Sequence, residues 1–388
     1  MAPSPFKKRR DKVEEATAEA EALPSPRNLP VVVGPNQPLE VALRSRSLAE
    51  RDPTEDEYGL KILHDPQGAA IDIIFIHGLT GNRESTWTRK SGKHRCFWPE
   101  DLLPTDIENA RIATWGYDAD VIRKTPFRVV STNTLQQHAD SLCTDLANLR
   151  AHGTRTRPII FVVHSLGGLV CKAALLHSAE ARTMENAHIR EIAESSYGVL
   201  FMGTPHQGSS QAGWGSMLAS LLGYMKQDNA DIVRGLEKEA PELAELQRRF
   251  YNLLASRIEE RRPLNISCCF EELPVPVLGM IVPSSSAEMD GYKAIPIHAN
   301  HMDMTKFGSD DSLGYIRVLG ELRRWIEAAT SKRDADAEEV SPILVSEFLA
   351  NLVIVTEERK GVKSDASGPE SLNYPSWRCL RWRNCSVR

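Results

Sequence analysis

Long apolar runs are missing from this chain. No stretch approaches the roughly 18 consecutive apolar residues that a membrane-spanning helix requires, so the sequence predicts no transmembrane segment. The basic cluster Lys7-Lys8-Arg9-Arg10 is not followed by an apolar stretch, which argues against a secretory signal. The acidic residues after Arg10 argue against a mitochondrial transit peptide. Charge of one sign is scarce too: a net charge of -5 gives no electrostatic ground for nucleic-acid binding. The seven cysteines are scattered and none forms a CxxC pair, which is neither a disulfide framework nor a zinc pattern and suits a reducing compartment. No internal repeat and no GxxxxGK[ST] phosphate loop is present.

What the chain does have is material for a core. Of its 388 residues, 41% are hydrophobic and 26% charged, enough for one large α/β domain with tails. Residues 1–57, rich in Pro, Glu, Ala and Arg, are expected to be mostly disordered, with the Lys7–Arg10 cluster read as part of a solvated tail. Order is expected over 58–330, followed by a largely irregular extension at 331–388. Within the ordered part, Ile71-Asp-Ile-Ile-Phe-Ile-His77, Ala110–Tyr117, Pro158–His164, Tyr197–Gly203, Leu264–Phe270 and Val277–Val282 read as strands. Leu135, Ala139, Leu142, Leu146 and Leu149 lay one apolar stripe along a helix that Gly153 is expected to stop. A closing helix over Gly314–Ala329 carries Ile316, Leu319, Leu322 and Ile326. Alternating strands and helices imply a mostly parallel central sheet covered on both faces. The stretch 211–262 breaks the alternation and reads as a helical lid insertion, with Trp214, Met217, Leu218, Leu221 and Leu222 available to roof an apolar pocket.

Chemistry is suggested by Val163-His164-Ser165-Leu166-Gly167-Gly168, which leaves a strand and opens a helix. That is the setting of a nucleophile elbow, and it makes Ser165 the candidate nucleophile of an α/β-hydrolase fold. Gly167 supplies the small residue needed two positions after the serine; Val163 stands where a small residue is usual two positions before it. In such a fold the loop His77-Gly78-Leu79-Thr80-Gly81 supplies one backbone N–H to the oxyanion and the residue after the nucleophile supplies the other, so Leu79 and Leu166 are the expected donors. His77, Gly78, His164 and His206 are expected to line the site. The base should lie C-terminal to Ser165. His298 and His301 are both candidates, with His301 preferred because His298 is close enough to belong to the Ile295–Ile297 segment. Glu271 and Glu272, at the end of a strand, both qualify as the orienting acid, ahead of Asp290 and Asp303. Acyl transfer by such a set needs no metal or organic cofactor.

The ordered series IDIIFIHGLTG ending at Gly81, TW at Trp87, FWPEDLLP at Pro104, ARIATWGYDAD at Asp120, VVHSLGGLV at Val170, GVLFMGTPHQGS at Ser209 and HMDMTKF at Phe307 resembles the serine-active-site-containing (SERAC-type) and DUF676/LipA-like α/β-hydrolases, particularly their fungal forms. The resemblance covers about residues 58–330. It implies a catalytic Ser165, His301 and Glu271, the last because Cys269–Pro274 stands at the family's Phe-Tyr-Glu-Thr-Leu-Pro stretch. It further implies lipid or phospholipid acyl esters as substrates, and peripheral contact with membranes of the endoplasmic reticulum or mitochondrion, with no nucleic acid as partner. A catalytically weak hydrolase fold used as a signalling or interaction module is the alternative that Val163 and the tails suggest.

Overall fold

The computed structural model describes residues 58–78, 81–117, 132–206 and 230–331. The expectations for both tails, for Leu79 and for the roof residues Trp214–Leu222 fall outside them.

A seven-stranded sheet organises these residues. Its strands are β1 (Gly59–His64), β2 (Ile71–Ile76), β5 (Ala110–Gly116), β6 (Ile159–His164), β7 (Ser196–Met202), β8 (Asn265–Glu271) and β9 (Lys293–Ile297). They stand in the order β1-β5-β2-β6-β7-β8-β9. Only β1 runs antiparallel to its neighbour; all other pairs are parallel. A separate hairpin pairs β3 (Thr88–Ser91) with β4 (His94–Phe97). The central strands β2 and β6 are buried along their whole length because both faces of the sheet are covered, and so their sequences read as unbroken apolar runs.

On one face lie α1 (Thr132–Leu149), α2 (Gly167–Glu180), α3 (Ala187–Ser195) and α4 (Ala230–Glu259), sharing a core with Ile74, Ile76, Phe161, Val163 and Phe201. On the other lie α5 (residues 313–331) and the β3–β4 hairpin, around Trp87, Trp98, Phe97 and Phe307. Strands, crossover helices and a parallel sheet closed on both faces make this an α/β-hydrolase fold. At the end of the sheet where β2 begins, the buried Asp72 carboxylate accepts two hydrogen bonds from Arg111 at 2.9 Å, one from Arg157 at 3.0 Å and one from Arg150. This pins three elements far along the chain from one another at the end of the sheet opposite Ser165.

Three local expectations change. Val277–Val282 is not a strand. Pro274 and Pro276 lack the N–H a ladder needs, Val277 and Gly279 take φ of 73° and 78°, and the segment closes on itself through a Val275–Gly279 bridge. The strand that completes the sheet is β9, where Pro296 is tolerated because β9 is an edge. The α1 helix ends at Leu149, and Gly153 sits four residues beyond in the following turn with φ 77°. Ile316 is half exposed. The expected Leu319, Leu322 and Ile326 are buried, and the buried face of α5 is widened by Tyr315, Val318 and Trp325, the last packing where Gly198 has no side chain. Of the insertion at 211–262, the described part is α4, one helix that passes through Pro241.

Candidate active site

Ser165 stands between the end of β6 and the start of α2, with φ 52°, a conformation L-residues rarely adopt. Its N–H donates to Met202 O at 2.9 Å, and its carbonyl accepts from Gly168 N–H and Thr204 Oγ1, each at 3.0 Å. Glycines make the turn possible. A Cβ at Gly167 would lie 2.3 Å from His77 O, one at Gly168 2.2 Å from Thr204 Oγ1, and one at Gly78 2.8 Å from Ser165 Cβ. Val163, the departure from the usual small residue, is fully buried in register between Ile76 and Phe201 and belongs to the core cluster that also holds Leu166 and Val170. The close backbone approach in this elbow is thus made at Gly167, against β2.

His301 lies on the loop after β9, and its Nε2 is 3.1 Å from Ser165 Oγ. The loop is built to hold it. Asn300 Oδ1 accepts the N–H groups of Met302 (3.0 Å) and Asp303 (3.1 Å), Thr305 Oγ1 donates to Thr86 O at 2.7 Å, and Trp98 Nε1 donates to Thr305 O at 2.8 Å. Gly203, with φ 59°, leaves room for the ring: a Cβ there would meet His301 Cε1 at 2.9 Å. Burial, with His164 nearby, pushes the His301 pKa well below the usual imidazole value. The imidazole is therefore neutral at rest, with Nε2 free to accept the serine proton.

Glu271 ends β8 with its side chain buried. Its Oε1 is 3.9 Å from His301 Nδ1 and accepts the Val282 N–H at 2.6 Å. Neither His301 Nδ1 nor Glu271 Oε2 has a hydrogen-bond partner among the described residues. Burial raises the Glu271 pKa, opposed by backbone hydrogen bonds from Val282, His301 and Ile281. The two runners-up, His298 and Glu272, pair with each other at 3.4 Å on the surface.

The lining histidines divide. His164 donates from Nε2 to His301 O at 3.1 Å, its ring 4.9 Å from that of His301. His77 donates from Nδ1 to Gly78 O at 2.8 Å, accepts the Tyr117 N–H on Nε2 at 3.2 Å and stacks on the Tyr117 ring. Burial lowers both pKa values to about 4. His206 differs from expectation. Its ring accepts from Lys172 Nζ at 2.7 Å and faces Cys268 Sγ at 3.7 Å, rather than bonding with Ser165, His301 or Glu271. The chain turns after Gly203-Thr204-Pro205 and sets the ring edge-on against Phe201. Leu166, the nearer expected oxyanion donor, is the N-cap residue of α2, where backbone N–H groups lack intrahelical partners. Gly203, Thr204, Asn300 and Val282 are parts of this site that sequence reasoning did not name. Only Gly203-Thr204-Pro205, a turn signal at a strand end, carried a local cue.

No protein-family model matches the chain. Protein SERAC1 of Bos taurus is 27% identical over 310 residues, 74% of this chain and 45% of that protein. The Homo sapiens protein of the same name is 26% identical over 310 residues, with the same coverage, and that of Danio rerio 27% over 306, covering 72% and 44%. The chain thus spans less than half the length of the curated relatives it matches. Among solved structures, it is similar to an esterase B from Lactobacillus rhamnosis (13% identity, 77% of this chain and 96% of that one, TM-score 0.37) and a thermophilic esterase from Thermogutta terrifontis (12%, 70% and 93%, TM-score 0.37).

Proposed function

We propose, for a chain that belongs to the SERAC-type family of α/β-hydrolases, that it is a serine hydrolase cleaving carboxylic esters through an acyl-enzyme. The observation that carries this reading is the 3.1 Å approach of a neutral, buried His301 Nε2 to the hydroxyl of a serine held at φ 52° on an elbow. In the proposed reaction Ser165 Oγ attacks the ester carbonyl while His301 Nε2 takes its proton. The N–H groups of Leu166 and Leu79 bind the oxyanion, and His301 then gives the proton to the departing alcohol. Water, deprotonated by His301, releases the acid and restores Ser165. Glu271 orients His301 and stabilises the imidazolium, which requires the resting 3.9 Å separation to close when charge develops.

Substrate and location belong to the same proposal: lipid or phospholipid acyl esters, met at a membrane surface by peripheral contact. Among the described residues no helix is long and apolar enough to cross a membrane. Flotation with anionic liposomes tests the contact, and a protein that stays wholly in the soluble fraction counts against it. The nucleophile is tested with a fluorophosphonate probe. Wild type is expected to label and Ser165→Ala not to; equal labelling of the two sinks the proposal.

A second reading, a hydrolase fold kept as an interaction module, draws support from the open His301–Glu271 separation. Absence of turnover on short-chain activated esters, by a protein that the probe still labels, would favour it.

A further inference from the structure

No charged residue occurs between Leu273 and Ala287, on the segment that follows the candidate acid. Its first part folds into a closed loop: Val275 N–H donates to Gly279 O at 2.8 Å and Gly279 N–H returns to Val275 O at 2.9 Å. The tip is strained and open. Val277 holds φ 73° while fully exposed, and Gly279 holds φ 78° with nothing within 4 Å of where a Cβ would stand. Two residues further the chain dives inward. Ile281 and Val282 are buried, and the Val282 N–H lands 2.6 Å from Glu271 Oε1. The main chain at Ile281 and His301 acts in the same sense, lowering the carboxyl pKa against the rise that burial causes.

Glu271 has no arginine or lysine partner among the described residues, and His301, the titratable side chain that faces it from the loop after β9, stands 3.9 Å away. A buried carboxylate without a cation ordinarily takes up a proton. We infer that the Val275–Val282 loop is the positioning element of the acid: the Val282 N–H that it delivers is an anion cradle that holds the Glu271 carboxylate in place beside His301. A main-chain donor does here what a basic side chain would do elsewhere, without placing a second positive charge beside the imidazolium that forms in the reaction. The strained tip matters because its geometry sets where the Val282 N–H points. This inference rests on the Ser165–His301–Glu271 reading above.

Val282→Pro deletes the N–H that bonds Oε1. Gly279→Val forces a β-branched side chain into a left-handed position without striking any neighbour, and disturbs the cradle from a distance. Hydrolysis of a short-chain p-nitrophenyl ester is followed across pH in each variant and in Glu271→Gln. In Val282→Pro kcat is expected to fall about tenfold with KM little changed, as for loss of a charge-assisted hydrogen bond. The acidic limb of kcat/KM is expected to move up by about one pH unit, since an unsupported carboxylate protonates sooner. Gly279→Val is expected to move the limb the same way by less, and it decides the matter should Val282→Pro not fold. A change in stability alone would leave the limb in place. Loop variants with the wild-type limb, beside an inactive Glu271→Gln, overturn the cradle and leave the triad standing. Wild-type kcat in Glu271→Gln overturns the triad itself, and the cradle with it.

Discussion

Lys172→Met removes a charge from the middle of the fold while keeping most of the side chain's length. Lys172 sits on α2, fully buried, with Nζ donating to Gln247 Oε1 of α4 at 2.5 Å and to His206 Nδ1 at 2.7 Å, and standing 5.3 and 5.5 Å from the Phe201 and Phe250 ring centres. No carboxylate is bonded to it among the described residues. Burial lowers its pKa from the ordinary 10.5 to about 7. The unfolded chain therefore holds this proton up to pH 10.5, while the folded protein has begun to release it near neutrality. Between those values the unfolded state binds more protons, so folded stability rises with pH. Integrating the difference from about pH 7 to about pH 9 gives a gain of about 2 kcal/mol to the wild type. Methionine cannot show this gain. Leaving Gln247 Oε1 and His206 Nδ1 without a donor costs about 1–3 kcal/mol each, a loss that does not depend on pH over this range. The neighbouring His206 stays neutral, its pKa held down by burial and by Lys172, and burial pushes the Cys171 and Cys268 thiols up, so none of them titrates in the folded state within the window. Their titration in the unfolded chain is common to both proteins and cancels in the comparison. Urea unfolding of both proteins at the two pH values is the assay. The wild type's advantage over Lys172→Met should be about 2 kcal/mol larger at the higher pH. An advantage of the same size at both refutes a buried, half-discharged lysine.

The other expectations concern the active site and its histidines. Gly203→Ala would place a methyl 2.9 Å from His301 Cε1 at a position with φ 59°. A displaced base of this kind costs about 10²-fold in kcat, readable in ester turnover, with circular dichroism expected to show the fold retained. Acid should unfold the protein steeply. His77 and His164 titrate in the folded state at about 4 rather than 6.5, so below 6.5 the unfolded chain takes up protons that the folded one refuses. Stability should fall by about 3–4 kcal/mol from about pH 7 to about pH 5 through these two residues alone. A flat denaturant midpoint over that range would show them exposed or already charged.

Much of the fold was legible because burial on both faces writes itself into β2 and β6 as continuous β-branched and apolar runs. The elbow was legible because Gly167 and Gly168 are required by backbone and Thr204 approach that no other residue allows. His301 could be preferred over His298 because it lies farther past the Ile295–Ile297 segment. Glu271 and Glu272 could not be separated by residue type. Successive residues at a strand end face opposite sides, so the parity of β8 decides which one is buried, and the sequence does not print parity. Val277–Val282 misled because its composition is that of a strand, whereas two prolines and a left-handed valine give it the shape of a loop. His206 misled because a short turn fixes where a residue begins and not which way its ring points.

Ser165 has one more consequence. A side chain held at φ 52° is strained where glycine would rest free, by about 1–2 kcal/mol. The same turn that exposes the hydroxyl therefore places a standing gradient on this codon: its loss is rewarded with stability. A lineage that ceased to need the nucleophile would gain by the first substitution to glycine, with no repacking required. A protein engineered for stability alone would therefore be expected to discard this residue among the first.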